Sequence, residues 1–357
     1  MTIDTVRCHS VSAALHTTFV TALRCTDVVE SLVVEVMDAD GRRGFGEAPQ
    51  VWAVTGDSLA GSRACVEGPL GAILLGAQPD DLNVLLARVS AAVAGNLAAK
   101  AAVDVALHDL VARRRGVSLP LLLGGTTHRV PTDVTLSAGD AGSLSEAAQR
   151  RVSEGFEVLK LKVGTDAIAD VNRVLAVRNA IGASPRLRLD ANQGWSAREA
   201  VRAICALEDA GAEVELVEQP VRGHDIPGLA WVTDRVSTPV MADESVFSLR
   251  DLHAVVERRA ADLINVKLAK CGGLTPARTL LDVARAHEIE VIVGSMMETA
   301  VGVGAAASLA AATGTTLVDD LDAAWWLATS PVRGGLRYED ATVVLPETPG
   351  LGIEGLA

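Results

Sequence analysis

Residues 158–164 read VLKLKVG, a short apolar run in which two lysines occupy alternate positions. Similar apolar runs return in LRLDANQGW at 187–195, VELVEQP at 214–220 and PVMADES at 239–245, and each of these three contains an acidic residue near its end. Helix-like patterns separate the runs. Short strands that alternate with helices are typical of parallel α/β folds.

The runs of this kind extend over most of the chain. Eight of them begin near residues 131, 157, 186, 214, 239, 262, 290 and 316. Their intervals of 23 to 29 residues suit successive βα units, and eight such units close a barrel. We therefore predict an α/β fold, a TIM-type (β/α)7β barrel over residues 126–325, with a doubly wound open sheet as the structural alternative.

Residues 1–125 predict a separate α+β unit. Residues 2–48 alternate apolar and polar positions in three runs, and DADGR at 38–42 is typical of a tight hairpin turn. Apolar residues at helical spacing follow at 80–95 and 96–116. The tail, residues 326–357, includes another hairpin pattern, and we expect it to return to this unit and complete a capping domain.

The charge and composition favour a small-molecule ligand. A formal net charge of -13 and a pI near 5.0 argue against nucleic-acid or anionic-membrane partners, which reward clustered Lys and Arg. The amino terminus lacks a signal-peptide pattern and the most apolar stretch, 301–314, is too short to span a bilayer, so we expect a cytoplasmic protein. A homo-oligomer is compatible with the sequence.

Strand parity selects among the lysines. Alternate side chains of a strand point to opposite faces, so the apolar partners of Lys160 and Lys162 turn both lysines into the barrel. In the sixth run, DLINVKLAK, the same alternation turns Asn265 and Lys267 inward, whereas Lys270 falls beyond the strand. We therefore predict that Lys160, Lys162 and Lys267 face one another inside the barrel.

Three acids are expected at the mouth of the barrel, where the strands end. Taken singly, Asp190, Glu218 or Asp243 could cap the next helix, just as a lysine at a strand end is usually solvated. Together they would repel one another unless a positive charge lies between them, and oxygen ligands select Mg²⁺ or a similar hard cation. No histidine or cysteine joins them, which disfavours zinc.

These residues lie in motifs that resemble a known family. K-x-K, D-A-N-Q-G-W, V-E-Q-P, A-D-E-S and V-K-L-A-K-C-G-G together resemble the muconate-lactonizing subgroup of the enolase superfamily. The resemblance continues in GEAP at 46–49, TGDS at 55–58 and LPETPGLGIEG at 345–355, so it spans nearly the whole chain. It implies a barrel with a capping domain built from the N-terminal region and the tail.

The resemblance also implies the chemistry. One Mg²⁺ per chain would be held by Asp190, Glu218 and Asp243, and it would neutralise the charge that develops on a substrate carboxylate when the neighbouring proton leaves. Lys162 and Lys267 would be the acid/base residues, with Lys160 as an auxiliary. Because a base must be neutral, we expect the Lys160 ammonium, the Mg²⁺ and desolvation to lower the pKa of Lys162.

The positions of the two lysines favour an isomerase. The second and sixth strands of an eight-stranded ring lie four positions apart, so their lysines address opposite faces of one carbon. This suits 1,1-proton transfer, in which one lysine removes a proton and the other returns it from behind. An acid-sugar dehydratase on this fold would carry a histidine base, but none of the seven histidines ends a predicted barrel strand.

Other residues must select the substrate, because the subgroup includes cycloisomerases, o-succinylbenzoate synthases, N-acylamino acid racemases and dipeptide epimerases. Asp320 and Asp322 resemble the D-x-D motif of dipeptide epimerases, which holds the substrate's free ammonium; alternatively, with Asp319, they form a solvated acidic loop. Arg24 matches the arginine that the Ala-Glu type uses for a side-chain carboxylate, or it is a surface residue. Further matching positions at the barrel mouth are Thr135, Ser295 and Met297.

We therefore predict a Mg²⁺-dependent epimerase that inverts the carboxy-terminal residue of a dipeptide, with L-Ala-D/L-Glu as the leading substrate and cell-wall peptide turnover as its source. An N-acylamino acid racemase, an o-succinylbenzoate synthase or a muconate-type cycloisomerase is the enzymatic alternative. A binding or structural protein would have little reason to keep both lysines and all three acids. Trp52 either narrows the pocket, which leaves the substrate side chain open, or packs within the cap.

Overall fold

A computed structural model of the protein describes residues 2–357, and its first element is a long antiparallel meander. The three strands, in the order β1-β2-β3, are β1 (Ile3–Val20), β2 (Cys25–Asp38) and β3 (Arg43–Pro49). β2 and β3 are joined at the predicted turn, where Gly41 has a φ of 79°, a value that favours glycine. The predicted three-run meander is confirmed.

The helices of the N-terminal region cover one face of this sheet. They are α1 (Leu59–Cys65), a π-helical turn (Val66–Leu70), α2 (Gly71–Leu74), α3 (Leu82–Ala92), α4 (Leu97–Arg115) and α5 (Leu119–Leu122). The longest, α4, is buried from Ala98 to Ala112 because it lies between the sheet and the rest of the molecule. Its C-terminus is closed by Gly116 in the left-handed conformation, as the sequence pattern predicts.

β3 approaches α4 so closely that only glycine fits at two positions. A Cβ built on Gly46 would lie 1.9 Å from the carbonyl oxygen of Ala102, and one built on Gly44 would lie 2.2 Å from that of Ala106. Both obstacles are helix backbone, which cannot move aside without shifting α4. The two glycines therefore set the distance between strand and helix.

We expect Gly46→Ala to destabilise the fold by about 1–3 kcal/mol, the usual cost of forcing atoms into a packed core. The measurement is the urea midpoint at constant m-value. Gly142→Ala is the matched control, because Gly142 is exposed near the start of a helix and its nearest neighbour is the flexible Asp140 carboxylate at 3.3 Å. Equal midpoints for the two variants would contradict close packing as the role of Gly46.

The second part of the chain is built on a curled parallel sheet of seven strands. In chain order, and after β4 (Arg129–Pro131), they are β5 (Val134–Leu136), β6 (Val158–Lys162), β7 (Arg186–Asp190), β8 (Val214–Glu218), β9 (Val240–Ala242), β10 (Leu263–Lys267) and β11 (Glu290–Gly294). Their order in the sheet is the same as their order in the chain. A doubly wound sheet reverses its order at one point, so that alternative is wrong.

Helices connect these strands, as the spacing predicts. They are α6 (Ala141–Ser153), α7 (Ala167–Ile181), α8 (Ala197–Asp209), α9 (Ile226–Thr233), α10 (Leu249–Arg258), α11 (Leu268–Cys271), α12 (Leu274–Ala286) and α13 (Ala300–Thr313), followed by a 3-10 helix (Ala323–Trp326). No helix in residues 2–357 is both long and apolar enough to cross a membrane.

The eighth predicted run differs from the other seven. Residues 316–322 form isolated parallel bridges, from Asp320 to Gly294 and from Asp319 to Thr132, and do not form a continuous strand. The reason is that the side chain of Asp319 takes part in the pairing: its Oδ1 accepts the backbone N–H of Val293 at 2.8 Å. The pattern therefore gave the position of this segment but not its regularity.

The tail forms two short pairs of strands, β13 (Arg337–Glu339) with β14 (Thr342–Val344) and β12 (Val332–Gly334) with β15 (Ile353–Leu356). β14 also pairs with β4. The last residues return to the N-terminal helices, where Arg113 Nη2 donates to the carbonyl of Ile353 at 2.7 Å and Ser118 bridges to Gly350.

Two carboxylates of the N-terminal region cap helices of the second part. Glu47, in β3, accepts the backbone N–H groups of Thr299 and Gly302 at the start of α13. Asp104, in α4, accepts the backbone N–H of Leu274 at 2.8 Å at the start of α12. Because the N-terminus of a helix carries partial positive charge and unpaired N–H groups, both carboxylates stabilise the docking of the two parts. We call them the trans caps.

Candidate active site

Four of the five lysines of the chain meet at the carboxyl ends of the parallel strands. Lys160 and Lys162 lie on β6 and are 2% and 7% exposed, as expected from the alternation in VLKLK. A buried lysine needs compensating charge. Each of the two finds it in the acids of the neighbouring strands.

Lys160 lies at the centre of the acids. Its Nζ is 2.5 Å from Glu218 Oε2, 2.8 Å from Asp320 Oδ2 and 3.2 Å from Asp190 Oδ2. Burial alone would lower the pKa of Lys160, but the carboxylates around it outweigh burial and hold that pKa well above its ordinary value. The surrounding carboxylates therefore favour the charged form of Lys160.

Lys162 and Lys267 approach the site from different sides. Lys162 Nζ is 2.6 Å from Asp190 Oδ2 and lies 5.8 Å from the centroid of the Phe19 ring, which belongs to β1 of the cap. Lys267, at the end of β10, has its Nζ 2.8 Å from Asp243 Oδ2. Because β7, β8 and β9 separate β6 from β10, the two ammonium groups lie on opposite sides of the acids.

The three predicted acids lie at the same level of the sheet. Asp190 ends β7 and Glu218 ends β8, and the two are partners in the register. Asp243 directly follows β9, in which Met241 pairs with Glu218. All three side chains are almost fully buried, at 0%, 1% and 1% exposure, so the sequence pattern placed them correctly.

The donor atoms of these acids fit a hard cation. They are carboxylate oxygens alone, and Glu218 Oε2, although close to Lys160, accepts no hydrogen bond. Burial and the charge of Asp190 raise the pKa of Glu218 to about 7, so a cation between them would relieve repulsion. Within residues 2–357 no three acidic, histidine or cysteine side chains are arranged around a metal position. Each of the three acids instead contacts a lysine.

The fourth lysine of the site, Lys270, was placed beyond the strand by the parity argument and was not expected here. It is 1% exposed, and its Nζ donates to Asp243 Oδ1 at 2.5 Å and to the Asn265 carbonyl at 2.9 Å. Although burial raises it, Lys267 and Lys270 hold the pKa of Asp243 well below its ordinary value. The signal was the three-residue spacing in KLAK, which puts Lys270 one helical turn after Lys267, in α11.

Two further polar residues of the site were also missed. Asn192 and Glu244 follow the predicted acids in DAN and ADE, and both line a cavity that Lys162 and Lys267 also line. Burial and the charge of Asp243 raise the pKa of Glu244 to about 8. Asn192 has a φ of 41°, in the left-handed region, which asparagine tolerates better than most residues other than glycine.

One cavity joins the lysines to every residue expected to contact the substrate. It is lined by Lys162, Lys267 and Asp243, and by the six predicted residues Arg24, Thr135, Ser295, Met297, Asp320 and Asp322. Phe19 and Val54 of the N-terminal region also line it. The cavity therefore lies between the cap and the carboxyl ends of the parallel strands.

The two aspartates of D-x-D are buried, so the alternative of a solvated acidic loop is wrong: Asp320 and Asp322 are each 5% exposed and Asp319 is 2% exposed. Their partners differ. Asp320 Oδ2 contacts Lys160 Nζ and Asn265 Nδ2, whereas Asp322 Oδ2 accepts the backbone N–H of Thr135 at 2.7 Å. Of the two aspartates of D-x-D, Asp322 is therefore the one that forms no ion pair with a lysine within residues 2–357.

The guanidinium of Arg24 is the unpaired cation of the cavity. Arg24 is half-buried, burial lowers its pKa, and in residues 2–357 no carboxylate forms an ion pair with it, although it lines the cavity. An arginine in this situation suits a ligand carboxylate. Trp52, in contrast, is 65% exposed and does not line the cavity, so neither expectation for this residue matches its position.

Comparisons with known families and proteins agree with this geometry. Residues 3–124 match the family described as mandelate racemase / muconate lactonizing enzyme, N-terminal domain, and residues 143–355 match the enolase C-terminal domain-like family. The chain is 41% identical over 358 residues to the L-Ala-D/L-Glu epimerase of Bacillus subtilis, covering 100% of this chain and 98% of that protein. It is 39% identical to the hydrophobic dipeptide epimerase of Enterococcus faecalis, with 99% coverage of both.

The solved structures give the same result. The fold superposes on a substrate-liganded complex of the Bacillus subtilis L-Ala-D/L-Glu epimerase with a TM-score of 0.97, at 40% identity and complete coverage of both chains. It superposes on the Enterococcus faecalis dipeptide epimerase, in complex with Mg and the dipeptide L-Leu-L-Tyr, with a TM-score of 0.95, at 39% identity and 99% coverage of both. The two relatives differ in the dipeptide that their names specify.

Proposed function

The chain belongs to the mandelate racemase / muconate lactonizing family of the enolase superfamily, and from this membership we propose that it is a Mg²⁺-dependent dipeptide epimerase. The observation that carries the proposal is that Lys162 and Lys267 lie on opposite sides of three buried acids, in one cavity with an unpaired arginine and an aspartate that contacts no lysine. The enzyme is an isomerase of the racemase and epimerase class.

In the proposed mechanism Asp190, Glu218 and Asp243 would hold the Mg²⁺. The cation would neutralise the second negative charge that develops on the substrate carboxylate as the α-proton leaves. Lys162 or Lys267, in its neutral form, accepts this proton at Nζ, and the opposite lysine, as an ammonium, donates a proton to the other face of the same carbon. Lys160 remains charged among the carboxylates and adds positive potential beside Lys162.

The substrate proposal rests on the charges around the cavity. Asp322, together with Asp320, suits a free ammonium group, while Arg24 suits a second carboxylate. A dipeptide with an acidic carboxy-terminal residue, such as L-Ala-L-Glu or L-Ala-D-Glu, carries this charge pattern. An N-succinylamino acid has no ammonium group and would place an anion against the aspartates. Thr135, Ser295 and Met297 would form the remaining walls.

We further infer that the curled sheet closes into a (β/α)7β barrel. The parallel bridges of Asp320 to Gly294 on β11, and of Asp319 to Thr132 beside β5, support closure between the two edge strands. We keep the division into a cap of residues 1–125, a barrel of residues 126–325 and a returning segment of residues 326–357 as a proposal. Cell-wall peptide turnover, a cytoplasmic location and a homo-oligomer stay predictions.

Deuterium incorporation from ²H₂O into a dipeptide library, followed by mass spectrometry in the presence of Mg²⁺, tests the function directly. We expect label at the α-carbon of the carboxy-terminal residue of free dipeptides and little label in their N-acetyl counterparts. Faster exchange in N-acylamino acids than in every free dipeptide would contradict the dipeptide proposal and favour the racemase alternative.

Arg24→Met should lower kcat/KM for Glu-containing dipeptides more than for dipeptides with an apolar carboxy-terminal residue. Loss of one charge-assisted hydrogen-bonding partner lowers kcat/KM by about 10- to 100-fold for L-Ala-L-Glu, and L-Ala-L-Leu should change little. The measurement is the ratio of the two kcat/KM values. Arg7→Met is the control, since Arg7 is exposed on β1 away from the cavity. An equal loss for both dipeptides would show that Arg24 does not read the side-chain carboxylate.

A further inference from the structure

Asp322 is held by two donors on one oxygen. Its Oδ2 accepts the backbone N–H of Thr135 at 2.7 Å and the indole Nε1–H of Trp326 at 3.0 Å. In residues 2–357 its other oxygen, Oδ1, accepts no hydrogen bond, and Asp322 lines the cavity. The carboxylate is therefore fixed through one oxygen and can offer the other to a ligand.

The indole of Trp326 is itself fixed by aromatic packing against the cap. Trp326 is 5% exposed, its ring lies edge-to-face on Phe19 with centroids 5.2 Å apart, and it stacks on His16 at 5.2 Å with an interplanar angle of 12°. Both partners belong to β1. Aromatic residues make up only 3% of the chain, so their concentration beside the D-x-D loop is a specific feature of this site.

The hydrogen bond from the Trp326 indole to Asp322 also offsets part of the cost of burying a charged carboxylate. Burial and the charge of Asp320 raise the pKa of Asp322, whereas the hydrogen bonds from Thr135 and Trp326 lower it. The two donors thus favour the ionised carboxylate, the form that binds an ammonium group. The Thr135 donor is a backbone N–H, which only proline would remove, but the Trp326 donor is a side chain.

We propose that Trp326 is a positioning residue for the ammonium subsite: its indole N–H holds Asp322 Oδ2, so that Oδ1 faces the free amino group of the dipeptide. This inference rests on the proposed dipeptide function and adds a specificity residue that does not itself contact the substrate. Through Phe19 and His16, it also makes the ammonium subsite depend on β1 of the cap.

The test compares two substrates that differ only in the amino group, L-Ala-L-Glu and propanoyl-L-Glu, with Mg²⁺ present. Trp326→Phe keeps an aromatic ring and removes the donor. We expect kcat/KM for L-Ala-L-Glu to fall about tenfold, mainly through KM, because one hydrogen bond to a charged group is lost. The value for propanoyl-L-Glu should stay unchanged, so the preference of the enzyme for the free amino group falls by the same factor.

Trp325→Phe is the matched control. Trp325 belongs to the same aromatic cluster, with its centroid 4.7 Å from His16 and 5.7 Å from Trp326, but its indole donates no hydrogen bond to Asp322. This variant should keep the wild-type preference. If Trp326→Phe does not fold, incorporation of benzothienylalanine at position 326 replaces only the N–H by sulfur and retains the ring shape.

The outcomes separate this inference from the function on which it rests. Equal losses on both substrates, or no loss on either, would overturn the positioning role while the wild-type preference for the free amino group stands. If the wild-type enzyme itself turns over both substrates equally well, the ammonium subsite does not exist, and the dipeptide proposal fails with the inference. A selective loss in Trp326→Phe alone supports both.

Discussion

Replacing Lys162 or Lys267 by alanine should abolish epimerisation and leave each variant able to exchange the α-proton of only one stereoisomer. The reason is that Lys162 and Lys267 lie on opposite sides of the acids, so each reaches one face of the α-carbon. Loss of an acid/base group typically lowers the rate by about 10²- to 10⁴-fold. Nuclear magnetic resonance in ²H₂O, started separately from L-Ala-L-Glu and L-Ala-D-Glu, measures the exchange.

Arginine variants guard against loss of the fold. Lys162→Arg retains the positive charge beside Asp190, but an arginine stays protonated and cannot act as the base. We expect the same stereochemical separation as with alanine. Unimpaired epimerisation by any of these variants would show that the two-base assignment is wrong. Exchange of both stereoisomers by a variant that retains only one of Lys162 and Lys267 would show the same.

Removal of any one of the three acids should eliminate both metal binding and turnover. Asp190→Asn, Glu218→Gln and Asp243→Asn each preserve shape and remove one ligand charge. Changes to residues that only support a metal ligand already cost about 10- to 100-fold in affinity or activity, and loss of a ligand itself should exceed this. Calorimetric titration with MgCl₂ reports binding independently of turnover.

A matched substitution controls for charge alone. Asp209→Asn removes one exposed carboxylate at the end of α8, which does not line the cavity, and should leave Mg²⁺ binding unchanged. Wild-type enzyme that is exhaustively chelated should lose activity and recover it with Mg²⁺. Full turnover after chelation, or undiminished Mg²⁺ affinity in the three acid variants, would contradict the metal assignment.

Alternation within strands explains why much of this site could be predicted. In β6 the apolar Leu159 and Leu161 occupy one face of the strand. Lys160 and Lys162 therefore share the opposite face, which points inward. The same argument correctly put Lys267 inward on β10. Lys270 lies beyond the strand, as predicted, but its contact with Asp243 could not be predicted in this way, because the chain turns into α11 directly after Lys267 and strand parity has no meaning in a helix.

Other features depend on contacts between distant segments and leave no local pattern. The pair Trp325-Trp326 is compatible with ordinary core packing. Although Trp326 lies only four residues after Asp322, its ring is held beside that carboxylate by packing against Phe19 of β1, which is distant in the chain. The irregularity of the eighth run also comes from a contact between separate segments. There the Asp319 side chain, and not a backbone carbonyl, accepts the N–H of Val293. The packing of Trp326 on Phe19 and the Asp319–Val293 hydrogen bond both join segments that are separated in the chain, so local propensity does not predict them.

The trans caps make the two parts of the molecule a single cooperative unit. If the part of the chain that contains the parallel sheet were expressed without the cap, it would expose the first N–H groups of α12 and α13, which Asp104 and Glu47 satisfy from at least 170 residues away in the chain. Helix caps contribute about 0.5–2 kcal/mol each, a large share of a marginal stability. Wild-type protein should therefore unfold in one transition, and the part that contains the parallel sheet could not be joined to another cap without new residues to cap these two helices.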